Sequence, residues 1–230
     1  MIQRTHHSDK RLDLICSYCG VNYPDTKDHV PSKILLDEPY PENLPVVPCC
    51  SKCNRSFSLD EEYVACLLEC AIHGTTSIEN LTRIKIKNIL SKKESLRHRI
   101  SNSLTSINGK THFNVDVEVG RLENVFVKLA KGHIKYENSE PVIGSPTYWR
   151  FEVLPNLPLK EREQFYACKK MDFLPEVGSR ALVDLCSDSK NNIYSRWQIV
   201  QPNIYHYMVI TDPLSVRIVI WNYLAVEAVW

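Results

Sequence analysis

Two Cys-x-x-Cys pairs, Cys16-Ser-Tyr-Cys19-Gly and Cys50-Ser-Lys-Cys53-Asn, constrain this chain more than any other feature of it. Four thiolates delivered by two such turns satisfy the tetrahedral geometry of a closed structural zinc site, which keeps no open position for a substrate. A lone pair would read equally well as a redox motif, whereas two pairs beside turn-forming residues favour zinc. Cys49 offers a competing register, but only Cys50 keeps the two-residue gap to Cys53. The opening MIQRTHHSDKRLDL is polar and lacks the apolar core of a secretory signal, so a reducing, cytoplasmic setting is expected. In that setting paired cysteines bind metal more often than they form disulfides. The chain carries nine cysteines, and the singletons Cys66, Cys70, Cys168 and Cys186 sit among apolar neighbours and read as small core residues.

The hydrophobic fraction of 43% and charged fraction of 24% exclude the disordered and fibrous classes, and no apolar run is long enough to cross a membrane. Leu14 to Gly20 reads as a short strand entering the first cysteine turn. Pro31, Pro39, Pro41, Pro45 and Pro48 exclude a continuous helix or central strand between the pairs. From Asn54 onward Phe57, Tyr63, Val64, Leu67, Leu68 and Ile72 recur at helical spacing, with Asp60, Glu61 and Glu62 near the start and Gly74 as a stop. A second helical stretch covers about 77–101. Residues 102–110, rich in Ser, Asn and Gly, read as a linker, and Leu122 to Tyr136 reads as a helix despite Gly132. The runs TYWRFEVLP, RWQIV, IYHYMVI and VRIVIWNYLAVEAVW are aromatic and β-branched, as in an antiparallel sheet. The expected class is α+β in two parts, residues 1–101 and a β-rich domain over 111–230.

Between the cysteine pairs lie Asp28-His29-Val30-Pro31 and Glu42-Asn43-Leu44, and the second pair runs directly into Asn54. A single-metal phosphodiester cutter needs oxygen ligands for a cation that offsets phosphate charge, and a base to activate water. Asp28 and Asn54 supply oxygens, and His29 titrates in the right range for a base. Mg²⁺ or Mn²⁺ keeps several waters, so two protein ligands suffice. His6, His7, His73, His98, His112, His133 and His206 have no comparable ligand spacing and read as surface or core residues.

This set of motifs resembles the HNH (ββα-metal) endonuclease superfamily, in its four-cysteine-zinc Asp-His…Asn form of the phage recombination endonuclease VII kind. The resemblance covers residues 16–62. It implies an N-terminal zinc-stapled ββα-metal nuclease domain, with structural zinc on Cys16, Cys19, Cys50 and Cys53. It also implies that Asp28 and Asn54 bind the catalytic metal, His29 activates water and Asn43 braces the loop that orients His29. Many members carry a further His, Asn or Lys three or four residues beyond Asn54, where this chain has Phe57 and Ser58. Glu61 returns to nearly the same helix face and is a candidate supplementary ligand, or an acid that suits a helix N-terminus.

The implied substrate is DNA. The net charge of +1 gives no strong overall field, but Arg83, Lys85, Lys87, Lys92, Lys93, Arg97 and Arg99 face a single Glu94 between Leu81 and Ile100, a candidate phosphate-facing surface. The alternative from another class is a zinc-ribbon module that binds nucleic acid or protein without cutting, which leaves Asp28, His29 and Asn54 unexplained. The β-rich part, ending in an aromatic segment at Trp230, is a candidate docking domain for a partner protein such as an ATPase or sensor of a bacterial defence or restriction system. A homo-oligomer would suit double-strand cutting by symmetry.

Overall fold

The computed structural model describes residues 11–114, 117–170, 174–186 and 195–230; the polar leader up to residue 10, with His6 and His7, lies outside the described residues. The fold is mixed α+β, and its sheets are antiparallel throughout. The chain forms two units that do not follow its linear order. One gathers the chain up to Ser56 and from Phe126 to Trp230, and the other is Phe57–Val125. Among the described residues no helix is long and apolar enough to cross a membrane.

The first unit begins with a single 3-10 turn, Leu12–Leu14, and then the first cysteine turn. The strand expected over Leu14 to Gly20 is absent there. Gly20 N donates to Cys16 O at 2.9 Å and Cys16 N to Asn22 O at 3.0 Å, so the backbone bonds close on the segment itself. Gly20, at φ 66°, permits the tight return that two thiols converging on one centre require. Strand β1 (Thr26–His29) then pairs antiparallel with β2 (Val46–Cys49), which sets Asp28 opposite Val47 and His29 opposite Val46. The proline-rich segment between them is irregular apart from one 3-10 turn, Lys33–Leu35. Helix α1 (Ser51–Ser56) follows β2 and starts ahead of Asn54. Its first turn is met by the Asp25 carboxylate, which accepts from Ser51 N and Oγ, each at 2.6 Å. An acid at a helix N-terminus offsets the exposed N–H groups there.

The second unit is built on α2 (Ser58–His73), whose Tyr63, Val64, Leu67, Leu68 and Ala71 are buried. It ends as the sequence predicts. Gly74 is left-handed at φ 64°, its N–H donates to Ala71 O, and Thr75 N reaches Cys70 O, which satisfies the last carbonyls. The next helical stretch divides at Lys93 into α3 (Ile84–Lys92) and α4 (Glu94–Asn102). Buried Glu69 accepts from Thr82 N at 2.7 Å and Arg83 N at 2.9 Å and so tethers the entry to α3. The segment expected as a linker over 102–110 is instead most of a hairpin, β3 (Leu104–Ile107) and β4 (Lys110–Phe113). Its turn is Asn108-Gly109, both at positive φ, the dipeptide a type I′ hairpin selects.

Helix α5 (Val119–Asn138) leads back into the first unit and exceeds the expected Leu122–Tyr136 at both ends. Strand β5 (Tyr148–Val153) follows, then α6 (Leu159–Tyr166), α7 (Arg180–Cys186), β6 (Gln198–Gln201), β7 (Tyr205–Thr211), β8 (Leu214–Ile220) and β9 (Leu224–Val229). The five strands form one sheet in the order β5-β9-β8-β7-β6. On one face α5 covers alternate residues of β5 and β7: Phe126 packs at 6.4 and 6.1 Å from Trp149 and Phe151, and His133 stacks on Tyr207 at 3.6 Å. On the other face Leu154 and Phe165 cover Val219 and Ala225. Coverage of both faces explains why β8 reads as a nearly unbroken apolar run rather than an alternation.

The aromatic C-terminal segment forms the central strands of this sheet. Val226 and Ala228 are buried, and Trp221 Nε1 donates to Leu35 O at 3.2 Å, which ties the β8–β9 turn to the N-terminal segment. Cys66 and Cys70 are core residues as expected, whereas Cys168 and Cys186 are exposed. Each of the latter ends or follows a short helix, where apolar neighbours in sequence do not imply burial.

Candidate functional site

The two Cys-x-x-Cys turns converge. The sulfur atoms of Cys16, Cys19, Cys50 and Cys53 lie within 4.8 Å of one another. A tetrahedron of sulfurs about 2.3 Å from a zinc ion has edges of roughly 3.8 Å, so a small contraction brings these thiols into coordination. Local backbone enforces the convergence: Cys50 N lies 3.3 Å from Cys16 Sγ, Cys53 N 3.5 Å from Cys50 Sγ, and Asn22 Nδ2 3.7 Å from Cys50 Sγ. Burial raises the Cys19 thiol, but donation from the Asn22 and Val21 N–H groups outweighs it and holds Cys19 at about 6. The Cys53 N–H likewise lowers Cys50, while burial raises Cys16 and Cys53. An all-sulfur donor set of this kind suits a structural zinc ion. Cys49 stands apart, in β2 opposite Thr26, with burial raising its thiol to about 12.

Asp28 and His29 are adjacent in β1, so their side chains leave opposite faces of the hairpin. Asp28 Oδ2 accepts the Tyr18 hydroxyl at 2.6 Å and the Lys128 ammonium, also at 2.6 Å. Lys128 is 1% exposed and donates in addition to Ser32 Oγ at 2.9 Å. His29 is partly buried; burial first, then the Lys33 charge, lowers its pKa below 6.5 and keeps the ring neutral at pH 7, against a weaker pull upward from Asp28. Its Nδ1 is buried without a hydrogen-bond partner among the described residues. A buried imidazole nitrogen in that condition calls for a water or a ligand.

Asn54 follows Cys53 on α1 and its Nδ2 approaches Thr26 Oγ1 at 3.4 Å and Lys27 O at 3.5 Å. These long contacts set Asn54 beside the strand that carries Asp28 and direct the amide nitrogen toward it. Asn43 lies in the turn before β2 and lines, with Thr26, Lys27 and Tyr136, a cavity of about 460 Å³. Glu61 belongs to the second unit, in the first turn of α2, where an acid suits the helix N-terminus. The basic stretch over Leu81 to Ile100 is partly neutralised within its own unit: Lys93 pairs with Glu62 at 2.6 Å, Arg99 pairs with Glu118, and Arg83 is buried.

Lys128, Tyr18 and Ser32 are the residues that sequence reasoning missed. Lys128 sits in a helix that also carries Arg121, Lys131 and Lys135, and nothing in that pattern separates a buried ammonium from a solvated one. Chemically the donor set fits a hydrated divalent ion in part. Asp28 and Asn54 carry oxygens of the kind Mg²⁺ takes, while Asp28 Oδ2 already has a cation. Compared with known proteins, the chain matches no family model, no curated protein and no solved structure.

Proposed function

We propose that this chain is a metal-dependent DNA endonuclease of the HNH type. The observation that carries the reading is the arrangement of β1, β2 and α1 around one cysteine cluster, with Asp28 and His29 on β1 and Asn54 beside that strand on α1. The cluster fixes the start of α1 relative to the first cysteine turn and thereby holds Asn54 in register with β1. A neutral His29 with an unpartnered Nδ1 has the right state to take a proton from water. Asp28 and Asn54 would hold a divalent ion, Mg²⁺ or Mn²⁺, whose contribution is to offset charge on the scissile phosphate and the leaving oxygen. Zinc would serve the scaffold alone.

The Asp28–Lys128 ion pair favours a second reading, a zinc-ribbon module that binds without cutting, because a carboxylate with a built-in counter-ion has less need of a metal. Cleavage of supercoiled plasmid by the zinc-loaded protein with Mg²⁺ or Mn²⁺ decides between them, with His29→Ala and an EDTA control alongside. The nuclease reading expects metal-dependent nicking or linearisation that disappears in His29→Ala while zinc content and DNA binding persist. Its pH profile should fall in acid as the ring protonates, with a midpoint below the usual 6.5 of a histidine. No cutting under any divalent ion would leave the binding module, and equal cutting by both proteins would remove His29 as the base.

A further inference from the structure

We propose that β5 is a dimerisation edge, which pairs antiparallel with the β5 of a second copy of this chain and joins the two five-stranded sheets into one. The proposal stands apart from the nuclease reading and rests on the two ends of the sheet order, β5 and β6, which are built differently. A sheet edge presents a row of backbone donors and acceptors that templates another strand unless something blunts it. At β6 it is blunted. That strand has four residues, and its register shifts between Ile199 and Gln201. The Gln201 amide there takes the place of a further strand, donating to Asp37 O at 2.9 Å and accepting from Asp37 N at 3.0 Å. Strand β5 has none of these devices: its six residues contain no proline, lysine or glycine and keep an unbroken register with β9.

Backbone and charge together choose the occupant. Leu154 N donates to Tyr223 O at 2.8 Å in the β5–β9 register, so by alternation the even-numbered residues of β5 bond to β9. Trp149 and Val153 therefore direct their N–H and C=O groups outward, and neither has a backbone partner in another element among the described residues. Side chains alternate as well. Trp149 and Phe151 pack on the α5 face beside Phe126, which sends Arg150 and Glu152 to the opposite face. Arg150 reaches Glu227 through Nε at 3.1 Å and Nη2 at 3.0 Å, and its 42% exposure leaves guanidinium donors to spare. Glu152 has no ion-pair partner among the described residues. When β5 pairs with its own copy, neighbouring registers set Arg150 opposite Arg150, Glu152 opposite Glu152, or Arg150 opposite Glu152. Only the last sets opposite charges together, and it does so twice, on either side of a two-fold axis at Phe151. The same register brings Trp149 opposite Val153 of the second copy, where the outward groups exchange hydrogen bonds in pairs. Such self-complementarity is what an isologous two-fold interface requires.

Sedimentation equilibrium of the full-length, zinc-loaded protein over a concentration series tests the proposal, and a reversible monomer–dimer equilibrium is expected. Val153 stands at φ −80°, a value proline adopts, and its outward N–H serves no bond to β9. Val153→Pro thus removes one donor from each end of the intermolecular pairing while keeping the sheet, and should leave monomer alone. Glu152→Arg turns both charge pairs repulsive and should weaken dimerisation about tenfold or more. Hydrogen exchange reads the same edge: the Trp149 and Val153 amides should exchange more slowly in concentrated than in dilute protein, and Glu152→Arg should reduce that difference. If Val153→Pro does not fold by circular dichroism, Glu152→Arg and the exchange rates decide. A protein that stays monomeric across the whole series would overturn the proposal and leave the edge to a strand from another protein. A dimer that both variants keep would also overturn it, because the interface would then lie elsewhere.

Discussion

A β-carbon at Gly132 would stand 2.6 Å from Val30 Cγ2 and 2.8 Å from Val30 Cγ1. Helix α5 thus touches the end of β1, one residue beyond His29, backbone against side chain. Four residues earlier on the same helix is Lys128, and three residues later Lys135 reaches Asp13 at 2.9 Å. One face of α5 therefore carries the candidate site while Phe126, His133 and Glu137 on another face hold the sheet.

Gly132→Ala is expected to destabilise the protein, against the usual helical preference. Alanine in a helix interior is favoured over glycine by about 1 kcal/mol. Both Val30 methyls block the new carbon, and a β-branched side chain with one favoured rotamer cannot swing aside cheaply, so overpacking of about 1–3 kcal/mol should prevail. Equilibrium urea unfolding of the two proteins measures the sign; a more stable Gly132→Ala would contradict the close approach.

Zinc removal should unfold the first unit's hairpin. Structural zinc in small Cys sites contributes about 10–16 kcal/mol of binding free energy, comparable with the whole stability of a domain at about 5–15 kcal/mol. Cys53→Ser, or a strong chelator, should abolish bound zinc and expose the hairpin amides to hydrogen exchange. Cys49→Ser should keep zinc, since Cys49 lies outside the cluster. A folded, exchange-protected hairpin without metal would show that packing alone holds it.

The fully buried His133 predicts acid sensitivity with a definite sign. Burial lowers its pKa well below 6.5 in the folded chain. Below 6.5 the unfolded chain takes up a proton that the folded one does not, so stability is complete above 6.5 and is lost as pH falls toward the folded value. One such group gives a slope of about 1.4 kcal/mol per pH unit. Comparing the pH dependence of unfolding free energy with that of His133→Asn isolates the contribution; identical slopes would mean that His133 is not held neutral by burial.

Some of this molecule was legible without coordinates because the controlling physics is local. The Cys-x-x-Cys spacing fixes which thiols can turn toward one ion, and the helix over Ser58–His73 ends at Gly74 because only the left-handed region closes that turn. The aromatic and β-branched runs of the C-terminal part pair as antiparallel strands for the same reason, that side-chain shape suits the pleated surface. The Asn108-Gly109 hairpin was equally local, but its flanking polar residues masked the turn signal inside a segment that read as linker.

The sequence by itself determined the four clustered cysteines, the adjacency of Asp28 with His29 and of Cys53 with Asn54, and the aromatic and β-branched runs that make the C-terminal strands. Tertiary structure alone decided that α5 returns to the N-terminal hairpin, that Gly132 is small because Val30 lies against it, and that Asp28 meets Lys128 exactly 100 residues along the chain. The reason is range: turn and helix signals act over a few residues, whereas a buried ion pair depends on which distant surfaces the core brings together, and a lysine in a helix carries the same letter whether it faces water or a carboxylate.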